Sequence, residues 1–140
     1  MIEINNQTTF AALDFFLKKV ANYCLKKLAI KKSVSIVLVK DKKIQELNKI
    51  YRRKNKVTDV LSFGDWNDQE FLGEIIICLP QAKRQAKKYN TSLEQELTRL
   101  LVHGILHLSG FDHEQSKLKE KKMFKLQEEI IEKICSISAR

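Results

Sequence analysis

Between Thr9 and Leu28 the apolar residues fall at Phe10, Leu13, Leu17, Val20, Ala21, Cys24, Leu25 and Leu28, with lysines on the intervening positions. Spacings of three and four gather them on one face and predict an amphipathic helix. Val34–Val39 (VSIVLV) is β-branched and almost continuously apolar, as a central strand covered on both faces requires. Ile2–Asn5 alternates and is a candidate edge strand. Asp41 is the candidate cap of a second helix, with Ile44, Leu47, Ile50 and Tyr51 on its buried stripe. VTDVLSF and LGEIIICL are strong strand segments joined across the turn-forming GDWNDQ, and so predict a hairpin. Pro80 suits the first turn of a short helix running to Tyr89. Thr91-Ser92-Leu93-Glu94 reads as a capping box with Thr91 at the N-cap. The helix it opens carries Leu93, Leu97, Leu100, Leu101, Ile105 and Leu108, and Gly110 is a natural stop. Ser116 is the candidate cap of a last helix bearing Leu118, Met123, Leu126, Ile130, Ile131 and Ile134. The expected fold is α+β (α/β): a single domain over residues 1–140, in which a small mixed four-stranded sheet packs with helices.

Composition changes this picture little. The chain has 140 residues, 44% of them hydrophobic and 31% charged, with one proline and four glycines. That is ordinary globular usage, without long flexible linkers. Charge changes it more. Lysine and arginine number 26 against 17 acidic residues, a formal charge of +9. Such a surplus either solubilises the surface or, the favoured reading, attracts a polyanion such as nucleic acid, a ribosome or anionic lipid. Cys24, Cys78 and Cys135 are far apart and in apolar surroundings, as buried thiols of a reducing compartment would be. The first residues lack a basic segment followed by an apolar one, and no apolar run approaches the ~20 residues of a membrane span. The expectation is a cytoplasmic, soluble protein without a membrane partner.

The candidate chemistry lies in HGILHLSGFDH, which holds all 3 histidines of the chain. His103 and His107 are four apart on a predicted helix, so both project from one face a turn apart. Gly110 lets the chain turn, and His113 follows soon enough to approach the same point. Three neutral imidazoles plus water make an open, catalytic-type zinc site on a zincin-like helix. In the HExxH peptidases the residue after the first histidine is the glutamate base. Here it is Gly104, which disfavours peptide hydrolysis by that route.

The string from His103 to His113 resembles the HGxLHLxGYDH motif of the YbeY family, bacterial rRNA maturation factors, with Phe111 for tyrosine. Leu47-Asn48, Tyr51-Arg52 and Thr58-Asp59-Val60-Leu61-Ser62-Phe63 resemble that family's LNxxYR…PTDVLSF segment, and Leu72-Gly73-Glu74-Ile75 its LGDI strand. Val57, Asn55 and Glu74 depart from the usual proline, aspartate and aspartate. The resemblance implies a zinc-dependent, single-strand-specific endoribonuclease acting in 16S rRNA 3′-end maturation and ribosome quality control. It implies one zinc ion on His103, His107 and His113, and Arg52 as the functional arginine. It also implies single-stranded RNA, rRNA and the small ribosomal subunit as partners, with a ribosomal protein or an assembly GTPase as recruiter.

Arg52 suits stabilisation of a phosphorane-like transition state or plain phosphate binding, since both use guanidinium chemistry. Asp112 is a candidate partner for a histidine or a cap of the turn, and Trp66 stacks on a base or covers the core. Arg52, Arg53, Lys54 and Lys56 form one cationic run, and Lys83, Arg84, Lys87 and Lys88 another. Two alternatives stand beside the nuclease: an RNA-binding assembly factor with structural zinc, and a zinc metallopeptidase.

Overall fold

The apolar run at 33–39 forms the strand around which the sheet is built. In the computed structural model, which describes residues 1–10, 13–65, 67–110 and 117–138, the elements are β1 (Ile2–Asn6), α1 (Asp14–Lys27), β2 (Ser33–Val39), α2 (Asp41–Arg52), β3 (Val60–Phe63), β4 (Phe71–Cys78), α3 (Leu79–Lys88), α4 (Leu93–Leu108) and α5 (Lys117–Ser138). The four-stranded sheet has the order β1-β2-β4-β3. β1 and β4 flank β2 in parallel, and β3 closes the edge antiparallel to β4. The mixed α+β architecture and the β3–β4 hairpin are therefore as the pattern predicts.

Both faces of the sheet are covered, which is why β2 and β4 are apolar at successive positions. Val34, Ile36, Leu38, Ile75 and Ile77 meet the main core, built with α1, α4 and α5. Val37, Val39, Leu61, Ile76 and Cys78 form a smaller core with Ile44 of α2. Between Ser33 and Val34 the β2–β4 register slips, Ser33 facing Phe71 and Val34 facing Gly73. The extra residue, Leu72, makes a bulge, and Leu72 and Gly73 consequently both lie toward the main core side.

Five local expectations are corrected, each by a competing hydrogen bond or an uncovered face. The first helix starts at Asp14 rather than Thr9. Asn6 Oδ1 accepts from Thr8 N at 2.9 Å and Asn6 Nδ2 donates to Phe10 O at 2.8 Å, a turn that competes with helix and leaves Phe10 exposed. The capping box of α4 is one residue later than Thr91. Ser92 Oγ accepts from Gln95 N and Gln95 Oε1 accepts from Ser92 N, both at 3.0 Å. Thr91 is taken by the end of α3, where Asn90 sits at φ 55° and Thr91 N donates to Ala86 O at 2.9 Å. Asp41 lies inside α2 and does not cap it; its carboxylate pairs with Arg84 at 2.7 and 3.1 Å. Ile50 and Tyr51 are exposed, since the flank of α2 turned inward bears Ile44, Leu47 and Asn48, and Tyr51 reaches the sheet only at the end of its edge strand, against Phe63. Leu118 of α5 is exposed too, while Met123, Ile130 and Ile134 are buried. Ser116 lies outside the described residues.

Cys24 and Cys78 are buried and all three cysteines are free thiols. Burial pushes the Cys24 thiol up from 9.0 to about 12. A raised folded value adds stability that is fully present below pH 9.0 and lost as pH rises toward about 12. Each pH unit in that window removes on the order of 1 kcal/mol. In urea titrations at stepped alkaline pH, Cys24→Ala flattens this limb; an unchanged limb would show that Cys24 ionises as freely in the native state as in the unfolded one.

Candidate active site

The last two turns of α4 carry His103 and His107. The opposite side of the helix is buried through Leu97, Leu100, Leu101, Ile105 and Gly104, so the two imidazoles fall on the half-buried flank. Their ring centroids are 6.4 Å apart and the planes are inclined by 35°. His103 Nδ1 lies 2.8 Å from Oε1 of Gln127, a buried residue of α5. The helix ends where Gly110, at φ 98°, follows Ser109.

Two close approaches fix this end of α4 on the sheet. Leu108 sits over Gly64 and Gly73, where added Cβ atoms would lie 2.8 and 2.9 Å from its methyl carbons. One turn earlier a Cβ on Gly104 would lie 3.0 Å from Ile75 Cγ2. The position that holds the base in HExxH peptidases thus points into β4. A glutamate there would run into the core, which gives the missing base a packing reason.

Arg52 ends α2 on the other face of the sheet, and it is exposed. The next residue, Arg53, adopts φ 57°, and buried Asn48 donates from Nδ2 to Lys56 O at 3.0 Å, folding 53–56 back on the helix. Tyr51 packs on Phe63 with centroids 5.0 Å apart. Phe63 immediately precedes Gly64, so the end of β3 is where the Arg52 end of α2 and the histidine end of α4 arrive from opposite faces. Arg53, Lys54 and Lys56 are exposed beside it. The α3 run is less free than its sequence implies. Arg84 is committed to Asp41 and Gln81, and Lys83 Nζ stands 4.5 Å from the Phe10 ring centre.

At the other end of β3 and of α4 lies a polar cluster that the motifs do not reveal. Buried Glu96 accepts from Arg99 Nε and Nη2, both at 2.8 Å, and from Gln85 Nε2 at 2.6 Å. Gln85 Nε2 also reaches Asp59 Oδ2 at 3.3 Å, while Asp59 Oδ1 accepts from Val60 N at 2.8 Å. Desolvation works against the Glu96 carboxylate, but the hydrogen bonds of Arg99 and Gln85 outweigh it and hold its pKa below the ordinary value. The aspartate of TDVLSF therefore ties the start of β3 to α3 and α4. Its only sequence signal was the Glu96–Arg99 spacing of i, i+3. Gln127 had no signal, because its partner is 24 residues away.

His113, Asp112 and Trp66 lie outside the described residues. Among the described residues no group of three metal-ligating side chains forms. No helix among them is long and apolar enough to cross a membrane.

The model of the family described as Endoribonuclease YbeY matches residues 2–135. The chain belongs to the endoribonuclease YbeY family. An endoribonuclease YbeY of Persephonella marina is 43% identical over 131 residues, covering 89% of this chain and 86% of the relative. That of the Aster yellows witches'-broom phytoplasma is 40% identical, covering 96% and 94%. A Thermotoga maritima protein solved in solution superposes with a TM-score of 0.76 at 32% identity, over 99% of this chain and 92% of that one. The YbeY resemblance read from the motifs thus holds for nearly the whole chain. The class of enzyme it implied, a hydrolase of RNA phosphodiester bonds, is the class the family is named for. That class sets the peptidase reading aside.

Proposed function

We propose that the chain is a zinc-dependent endoribonuclease that cuts single-stranded RNA, with one ion held by His103, His107 and His113. The observation that carries this is the pair of half-buried imidazoles on one flank of α4, presented at the end of the β3–β4 hairpin. The pair fits one ion. Around one tetrahedral zinc with Zn–N bonds of about 2.1 Å the two centroids would stand roughly 5.3 Å apart; the observed 6.4 Å is about 1 Å wider, a gap that a small turn of the two half-buried side chains closes. When bound, the ion supplies Lewis acidity at a phosphoryl oxygen and lowers the pKa of a water toward about 7.

The remaining work falls to the chain. The Arg52 guanidinium, on an end of α2 anchored by Tyr51 and Phe63, stabilises the charge that develops on the phosphate during cleavage. Arg53, Lys54 and Lys56 follow the backbone of the strand beyond it, through contacts that weaken as salt rises. In the cell the reading extends to a cytoplasmic enzyme of 16S rRNA 3′-end maturation and ribosome quality control. It would be met on the small subunit and recruited by a ribosomal protein or an assembly GTPase.

The test is cleavage of a labelled single-stranded RNA before and after chelation, with zinc restored. Chelation abolishes cleavage and zinc restores it, while a matched duplex resists. Arg52→Ala lowers turnover about 10²-fold, and Arg52→Lys recovers only part, because a lysine cannot make the bidentate contact. Cleavage that persists in excess chelator, or an Arg52→Ala enzyme with full turnover, would sink the proposal.

A further inference from the structure

The buried stripe of α5 runs Met123, Gln127, Ile130, Ile134. An apolar residue is the natural occupant of the second position. Gln127 holds it at 5% exposure, on a stripe whose other members, Met123, Ile130 and Ile134, belong to the main core. A buried amide without a partner is costly, so the hydrogen bond it makes there explains its presence. That bond goes to one place of chemical interest: Oε1 lies 2.8 Å from Nδ1 of His103. An amide oxygen only accepts, so this contact is a hydrogen bond in the tautomer that carries the proton on Nδ1. The lone pair of the neutral ring is then on Nε2.

We propose that Gln127 is a positioning residue that selects the Nδ1–H tautomer of His103 and turns Nε2 toward the metal, without adding charge to the site. This rests on the reading of His103 as a ligand. A ligating histidine commonly donates its other N–H to a carboxylate, carbonyl or water, which fixes both tautomer and ring orientation. Carboxylate partners also make the imidazole more basic and the ion better held. A glutamine keeps the orienting bond and omits the negative charge. The site then binds its ion less tightly than a carboxylate partner would allow, and leaves more of the positive charge for an anionic RNA phosphate.

The experiment uses the full chain with Gln127→Leu and Gln127→Glu. The tautomer is read from imidazole ¹⁵N shifts of the metal-free protein, and zinc affinity from competition with a chromophoric chelator. Wild type is expected to show His103 protonated on Nδ1. Gln127→Leu, which suits the apolar stripe and keeps or raises the melting temperature, mixes the tautomers and weakens zinc about 10- to 100-fold. Gln127→Glu restores the single tautomer and binds zinc more tightly than wild type. A merely structural glutamine would leave tautomer and affinity alone, whatever Gln127→Leu did to the melting temperature. Nδ1 found unprotonated in wild type, or zinc affinity within twofold in Gln127→Leu, overturns the inference while the zinc reading stands. A wild type that binds no zinc overturns both, and the difference is visible before any variant is made.

Discussion

His107→Ala loses single-strand RNA cleavage by about a thousandfold and remains folded. The fold survives because the residues that pin α4 to the sheet lie elsewhere: Leu101, Gly104 and Ile105 are buried, and Leu108 sits over Gly64 and Gly73. His107 itself is only half-buried, and alanine is the best helix former, so stability changes by no more than about 1 kcal/mol. On the proposed zinc site the chemistry does not survive, because a ligand from the middle of the set is gone. Losing the several kcal/mol that a metal ion contributes to a phosphoryl transition state is a factor of about 10³, at 1.36 kcal/mol per decade. Three measurements on one preparation decide the matter: zinc content, melting temperature and cleavage rate. The expected result is an intact melt with zinc and turnover both lost. If zinc, melt and RNA association all fall together, the metal is structural and the chain acts as an assembly factor. Full turnover without metal would remove the histidines from the mechanism.

The histidine pair was legible because it depends on one thing only, the rise and twist of a helix whose stripe Leu97, Leu101, Ile105, Leu108 is unmistakable. The same holds for β2 and β4, whose unbroken apolar runs require two covered faces. What escaped depends on neighbours in space. Thr91 and Ser92 are equally good caps in sequence, and the choice is made by Asn90 and the closing turn of α3. Ile50 and Tyr51 continue a helical stripe, yet both stay exposed, Tyr51 touching the sheet only through Phe63. Gln127 meets His103 only because α5 returns across α4. Arg52 was found by resemblance, and its helix proves to stand on the opposite face of the sheet. The end of β3, with Phe63 on one side and Gly64 on the other, is what relates it to the histidines.

That hairpin end carries the second large effect: Gly73→Ala destabilises the protein by roughly 3–5 kcal/mol and weakens zinc binding with it. At φ 154° an L side chain is already strained. The added Cβ would lie 2.5 Å from the Phe63 carbonyl oxygen, 2.9 Å from Leu108 Cδ1 and 3.0 Å from Gly64 Cα. The first of these walls is backbone. Phe63 faces Glu74 in the β3–β4 register, so relief of the clash means opening the ladder or expelling Leu108. Either movement displaces the turn of α4 that holds His107. Gly104→Ala is the control, because there the wall is the Ile75 side chain, at 3.0–3.3 Å. A shift of a few tenths of an ångström accommodates that methyl, and the alanine recovers up to ~1 kcal/mol of helix propensity. Urea titration at constant m-value should therefore show a large fall in midpoint for Gly73→Ala and a small change of either sign for Gly104→Ala. Equal midpoints for the two variants would mean that Leu108 is not held between Gly64 and Gly73. The alignment of the histidine helix on the hairpin would then need another cause.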